Sequence, residues 1–396
     1  MPNDSSKQSS SVKTKVGHTK GRQGGQKLPK ADIIIDESAP QKTHGKWFTK
    51  KRLLIGVAIF GVIAVIAAIA WAMFGHPNKP IIRKVLTKTV KTPPKPKTTP
   101  SPLTGVEVAP ELAEHPVVSV IIENLYPNAR PQSGLSSAGV VYEALAEGGI
   151  TRYQAFFGDT MPSDIGPVRS IRTYFVRWGL EYGVPVTHAG GNADALDLIV
   201  PLGMKNLDQF ANGSYFRRIN TRYAPHNLYT TGSQLDKLMQ DRGFYTKPSF
   251  TPWLRKNDNK ATTPSATTIT IDPSYYDYRV TFKYDPTDNS YNRFIRGVAD
   301  VDANGNTPVK PKNIIVLKAA TSTGTTRAGE QTVIIQTVGS GTGVAFLDGV
   351  ATNITWSKPS DKARTQFLDA SGKEISLNRG QTWVTVIPLE KTVSYQ

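Results

Sequence analysis

Cysteine is absent from the 396 residues, which excludes disulfides, thiolate zinc sites and a thiol nucleophile. Acidic side chains are scarce at one end only: residues 1–100 carry 19 Lys and Arg against 4 Asp and Glu, and the remaining 296 carry 29 against 27. The net charge of +17 therefore belongs to the front of the chain. The larger part lacks the bulk charge of a duplex-binding surface, and nucleic acid is not an expected partner. Signature motifs are missing as well. No G-x-x-x-x-G-K-[ST], H-E-x-x-H, G-x-S-x-G or EF-hand loop occurs, so no cofactor or metal is expected and no catalytic residue is assigned.

The strongest positive signal is Leu53–Phe74, 22 residues without a charge. As a helix it would extend about 33 Å, enough for a hydrocarbon core of about 30 Å. It is longer than the roughly 7–15 apolar residues of a signal peptide and starts far from the N-terminus, so an uncleaved single-pass anchor is expected. Five Lys or Arg lie within twenty residues on either side, but Lys50, Lys51 and Arg52 abut the helix directly. That asymmetry places the N-terminus in the cytoplasm and the large C-terminal part outside it, in the cell envelope.

Around this helix the composition divides the chain further. Residues 1–46 have almost nothing to bury and read as a disordered basic cytoplasmic tail. Residues 75–102 form a Pro- and Lys-rich linker whose last part, TPPKPKTTPSP, is an extended spacer. Two folded regions follow, 103–250 and 273–396, separated at 251–272 by a stretch containing KNDNKATTPSATT. The expected fold class is α+β: an N-terminal mixed α/β domain and a C-terminal antiparallel β domain, preceded by the transmembrane helix.

In the first region PVVSVII (116–122) reads as a buried strand, and Gly139–Phe157 as two strands joined by a two-residue turn at Gly148-Gly149. That turn sets Glu143 opposite Gln154 and gathers Glu143, Glu147 and Arg152 on one polar face, away from Tyr142 and Tyr153. Helices are expected from Ser170 to Tyr182, from Asn192 to Ile199, and from a Thr231 or Ser233 cap to Asp241. In the second region apolar runs such as NIIVLKA and TWVTVIP alternate with Asn-Gly, Asp-Gly and Ser-Gly punctuation, the pattern of hairpins. Gly339-Ser340-Gly341-Thr342-Gly343 reads as a turn between two of these strands.

Three clusters are candidates for ligand binding. Arg169 and Arg172 open the first predicted helix, where guanidinium groups and free backbone N–H groups suit an anion; pairing with Glu143 and Glu147 is the structural alternative. His188-Ala189-Gly190-Gly191-Asn192 is a strand end, a glycine turn and a helix start. The third runs from Arg217 to Asn227 and includes Arg222, Tyr223, His226 and Asn227, with arginines for phosphate and aromatic rings for sugars. Acid–base chemistry requires His188 and His226 to converge on the arginine pair.

The stretches Pro102–Gly105, NARPQSGL (128–135), VYEALAEGGITR (141–152), IGPVRSIR (165–172), HAGG (188–191) and APHNLYT (224–230) together resemble the YerB-like bacterial lipoproteins. Similarity continues through Trp356–Lys358, Arg364–Asp369 and Leu377–Pro388. The resemblance implies a two-domain, membrane-tethered extracytoplasmic protein and supplies no catalytic residue. This chain departs from the lipoprotein pattern in having no cysteine for lipid attachment, so the helix at 53–74 would replace the lipid. A fainter likeness at Pro167–Ser170 is to the LytR-CpsA-Psr phosphotransferases, but the acidic residue expected after the arginine is missing. The function expected is binding of an anionic or glycan ligand, such as cell-wall glycopolymer, or of an envelope protein. The alternative is a phosphotransferase or hydrolase acting on phosphate-linked envelope polymers.

Overall fold

The computed structural model of the protein describes residues 51–75 and 97–396. The tail expected over 1–46 and most of the linker expected over 75–102 lie outside the described residues. The chain divides into two units between Lys91 and Thr92. The first contains α1 (Lys51–Phe74), which encloses the expected span. Its side chains, described from Ile59 onward, are exposed. Among the described residues no helix is long and apolar enough to cross a membrane.

The second unit is built from both predicted regions. The first region supplies β1 (Val118–Glu123), β2 (Val140–Leu145), β3 (Thr151–Phe157), β4 (Val186–His188) and β5 (Asn206–Asp208). Its helices are α2 (Thr173–Tyr182), α3 (Ala193–Leu202) and α4 (Gly232–Asp241). The second region supplies β6 (Thr268–Ile271), β7 (Val280–Asp285), β8 (Ser290–Ile295), β9 (Asn313–Ala319), β10 (Thr321–Thr325) and β11 (Gln331–Ile335). It continues with β12 (Gly339–Leu347), β13 (Val350–Lys358), β14 (Gln366–Leu368), β15 (Thr382–Pro388) and β16 (Val393–Tyr395).

Ten of these strands form one sheet in the order β14-β13-β12-β9-β15-β2-β3-β1-β4-β5. β15 lies between β9 and β2 and is parallel to both, with Val384 beside Ile315 on one side and Tyr142 on the other. The expected composition of strands and helices is present, but the C-terminal region is not a separate antiparallel domain. Its last long strand is central to a sheet shared with the first region. Strands buried on both faces read as continuous apolar runs, and TWVTVIP is one, with all seven residues of β15 buried.

The segment expected to link the regions, 251–272, is likewise built in. Arg255–Lys256 pairs in parallel with Leu377–Asn378, and Trp253 is buried with its indole N–H on the Thr365 carbonyl at 2.8 Å. The aromatic ring just ahead of the polar run is what anchors it.

Apolar side chains pack on both faces of the sheet. On one, α2 and α3 bury Tyr174, Phe175, Trp178 and Ile199 against Tyr142, Ile315, Val384 and Val386. On the other, α4 and a smaller antiparallel sheet of β8, β7, β6 and β16 cover Val141, Tyr153, Val316 and Trp383. Each large side chain so buried stabilises the fold by roughly 1.5–3 kcal/mol. α2 approaches β4 closely because it has glycine at the contact: a Cβ on Gly179 would lie 2.6 Å from Val186.

Two local expectations are corrected. The β2–β3 connection is a three-residue turn, Glu147–Gly149, with both glycines at positive φ, and it pairs Glu143 with Tyr153 and Ala144 with Arg152. One extra loop residue moves Glu143 to the face opposite Arg152. Gly339–Gly343 is the first half of β12 rather than a turn. Its glycines are required by close approach, since a Cβ on Gly341 would lie 2.5 Å from the Trp356 indole across the ladder, and one on Gly343 would lie 2.5 Å from the Val316 carbonyl.

Candidate functional site

The strand directions concentrate polar chemistry at one edge of the sheet. β1, β2, β4, β5, β9 and β15 all run the same way, so their carboxyl ends share that edge, where sheets of this kind bind ligands. Glu123 closes β1, Glu147 follows β2, His188 closes β4, and Arg152 lies near the start of the opposed β3. Arg169 and Arg172 arrive on the extended segment before α2, which starts at Thr173 rather than Ser170.

Three arginines lie close together there, and two have carboxylate partners. Arg172 grips Glu147 with two hydrogen bonds of 2.6 Å. Burial would raise the Glu147 pKa, but Arg172 outweighs it and holds the carboxyl below its usual value. Arg169 Nε is 3.0 Å from Glu123. Arg152 is only 6% exposed and makes one hydrogen bond among the described residues, from Nη1 to the Ser170 carbonyl at 2.7 Å. Its Nε is buried without a partner. Burial, and then the neighbouring charge of Arg172, pull its pKa down to about 10. Beside it the N-terminus of α2 has no side-chain cap, so backbone donors add to the positive end of the helix.

Glu123 is the hub that the sequence reading missed. It is 2% exposed and takes Arg169 on one oxygen and His226 Nδ1 on the other, at 2.9 Å. The one signal for it was a charge at the end of an otherwise apolar strand. His226 Nε2 makes no hydrogen bond among the described residues.

The other candidates serve the fold. Glu143, on the far face, accepts from Arg293 and from the Trp383 indole, both at 2.9 Å. His188 is fully buried, with Nδ1 2.8 Å from the Gly190 carbonyl and Nε2 2.8 Å from the Asn206 side-chain amide. Burial outweighs Asp208 and lowers its pKa, which keeps the imidazole neutral near pH 7. His188 is thus held by Gly190 and Asn206, whereas His226 contacts Glu123, and the two histidines share no hydrogen-bond partner among the described residues. Asn192 caps α3 through the Ala195 N–H at 3.1 Å and donates to Thr332 at 2.8 Å. Arg222 donates to the Ala129 and Pro131 carbonyls and the Tyr229 hydroxyl. Asn227 ties the Ile219 and Arg222 carbonyls together, while Tyr223 is 91% exposed.

A pocket of about 260 Å³ opens on the same edge, between the 147–149 turn and the β10–β11 hairpin. Three larger hollows, about 460, 530 and 460 Å³, lie along β12–β13, beside residues 334–338 and between residues 99–105 and 252–255, and none of the candidate residues lines them.

Residues 103–245 match the N-terminal domain, and residues 269–384 the C-terminal domain, of the family described as protein of unknown function (DUF3048). A Bacillus subtilis (strain 168) protein described as "Putative lipoprotein YerB" is 30% identical over 295 residues, 73% of this chain and 86% of its own length. The chain belongs to this family. The crystal structure of YerB from Bacillus subtilis covers 75% of this chain and 99% of its own, with a TM-score of 0.67 and 30% identity. The two family domains meet the chain on either side of 246–268, yet β15 of the second is hydrogen-bonded to β2 of the first. The arginine cluster belongs to the first domain, whereas the 260 Å³ pocket takes its walls from both.

Proposed function

We propose that this protein is tethered to the cytoplasmic membrane by α1, faces the cell envelope, and binds an anionic ligand at the carboxyl edge of its sheet without turning it over. Arg152 carries the reading: a buried guanidinium with one carbonyl partner, set among two further arginines and an uncapped helix N-terminus, is a charge awaiting a counterion. The tether rests on the charge-free run within α1 and on the lipoprotein description of the Bacillus subtilis relative. With no cysteine to acylate, the helix takes the place of the lipid. Lys50, Lys51 and Arg52 favour a cytoplasmic N-terminus. Ligands that fit are phosphate-bearing cell-wall glycopolymers or an acidic segment of an envelope protein.

The test is a titration of the full chain with inorganic phosphate, read by thermal unfolding. At tenfold excess over Kd the wild type gains about 1.4 kcal/mol, and Arg152→Gln gains nothing. Equal stabilisation of both proteins would remove Arg152 from any binding role.

The Glu123–His226 contact favours a second reading, in which His226 Nε2 moves a proton during hydrolysis of a phosphate ester while Glu123 orients the ring. Slow turnover of bis(p-nitrophenyl) phosphate that disappears in His226→Gln would support it. No turnover by the wild type would leave binding as the function.

A further inference from the structure

We infer that Lys256 and Asn378 condense into an intramolecular isopeptide bond, with Asp348 as the proton carrier. The site is separate from the arginine cluster and does not depend on ligand binding there.

Three parts of the second unit bring the groups together. Lys256 and Asn378 are direct partners in a parallel strand pair, so their side chains stand on the same side of it. Asp348 comes from the tight turn between β12 and β13, at a φ of 58°, which short polar residues tolerate. Lys256 Nζ lies 2.5 Å from the Asn378 side-chain oxygen and 2.5 Å from one Asp348 oxygen. The other Asp348 oxygen accepts from the Asn378 side-chain amide at 2.9 Å. Amine, amide and carboxylate therefore touch pairwise. The amide carbon is one C=O bond beyond its oxygen, so it lies at most about 3.7 Å from Nζ. Reacting atoms need roughly 3–3.5 Å, a gap that a small turn of the lysine stem closes.

The acceptor and the carrier are both held in place. Asn378 is fully buried; its backbone N–H donates to the Asn313 side-chain oxygen at 2.7 Å, and its carbonyl accepts from the Asn313 amide at 3.0 Å. Asp348 accepts from the Asn289 side-chain amide at 2.7 Å and from the Asn259 N–H at 3.2 Å.

The reaction balances without a co-reactant. Asp348 takes one proton from the Nζ ammonium, which leaves a nucleophilic amine and does not change the total charge of the pair. The Nζ lone pair attacks the Asn378 side-chain carbon, and a new C–N bond forms. Asp348 passes its proton to the amide nitrogen it already contacts, the old C–N bond breaks, and ammonia departs with the second Nζ proton as ammonium. Asp348 ends as a carboxylate, as it began. The Lys256 side chain is 32% exposed, which gives the ammonia a way out. One event per molecule is enough, so fixed proximity takes the place of fast turnover. The bond joins positions 122 residues apart and ties the segment between the two family domains to the residues just ahead of β15. In a chain without cysteine it supplies the covalent closure that a disulfide would give.

The experiment is mass spectrometry of the full chain, intact and after trypsin digestion. The wild type should weigh one ammonia less than its sequence, and its digest should contain a branched peptide carrying both Lys256 and Asn378. Lys256→Arg, which keeps the charge, should show the full mass and two separate peptides. Asp348→Asn, which keeps the turn, should lower the linked fraction at least tenfold. A wild-type mass equal to that of the sequence overturns the bond. An ammonia deficit with the two peptides still separate also overturns it, since succinimide formation at Asn212-Gly213 or Asn304-Gly305 sheds ammonia too. Equal linkage in Asp348→Asn overturns the carrier role of Asp348.

Discussion

Arg293 and Arg152 are both buried guanidinium groups, reached from opposite faces of the same hairpin, yet they are treated oppositely. Arg293, in β8, contacts Asp300 and Glu143, reaches the Tyr153 hydroxyl at 3.2 Å, and lies 4.4 Å over the Trp383 ring. Burial opposes its charge, but Glu143, Tyr153 and Asp300 more than offset it, and its pKa is raised. Arg152 has one carbonyl and a lowered pKa. Burial without a carboxylate does not by itself mark a site. Arg255 is also lowered to about 10, yet its two Nη atoms meet four backbone and hydroxyl oxygens, from Asn378, Gly380, Thr382 and Leu103. The Nε of all three is buried without a partner; what separates Arg152 is that its Nη atoms meet one acceptor among the described residues, against three for Arg293 and four for Arg255.

The comparison breaks most visibly at Arg293. Arg293→Met strands two buried carboxylates, Glu143 and Asp300, and should cost about 3–5 kcal/mol in urea unfolding of the full chain. A loss below 1 kcal/mol would mean that the two arginines do not differ as described. Arg152→Gln is the reverse case. It removes a charge that the fold leaves unpaired, so stability without added anion should stay within about 1 kcal/mol of wild type, while phosphate affinity falls at least tenfold. A loss of 3 kcal/mol in the absence of phosphate would return Arg152 to a structural role.

Much of this contrast was hidden in the sequence for definable reasons. β2 and β3 were legible from their alternation, and Arg172 pairing with Glu147 was among the foreseen alternatives. The face assignment was not, because two glycines fit a two-residue turn as well as the three-residue turn observed, and one residue inverts every side chain. Glu143 was therefore assigned to the arginine cluster, whereas it serves Arg293. The union of the two regions left no local trace: β15 pairs with β2 across about 240 residues of sequence, and hairpin punctuation reports only neighbouring strands. His226 stands out by residue type, but its partner Glu123 does not, since contact between β1 and the 217–229 loop depends on the tertiary fold.

His188 sharpens the contrast from a third side, as a buried ionisable group kept neutral instead of paired. Its folded pKa lies below the usual value of about 6.5. The stability it contributes is therefore fully present above that pH and is lost as pH falls through the depressed folded value. One proton accounts for a slope of at most about 1.4 kcal/mol per pH unit. Unfolding free energies measured from pH 7 to pH 5 should show this limb in the wild type and lack it in His188→Gln. An identical slope in both proteins would assign the acid sensitivity to carboxylates instead.

The smallest expected effect concerns Arg172, which belongs to both halves of the contrast: it is paired to Glu147, and its charge helps depress the pKa of Arg152. Because the Glu147 pKa is lowered in the folded protein, the stability from this pair is present above the usual carboxylate range and is lost as pH falls through the lower folded value. Arg172→Gln should cost about 1 kcal/mol at pH 7, as for a partly buried two-point pair, with the difference from wild type vanishing near the acid limit. The same substitution removes one positive neighbour and also frees Glu147 to face Arg152, so Arg152 acquires a protein counterion in place of a solvent-borne one. Phosphate affinity should therefore fall in Arg172→Gln even though Arg152 is intact, and restoring it by the further change Glu147→Gln would show that the surplus of cations over carboxylates, rather than any single guanidinium, holds the anion.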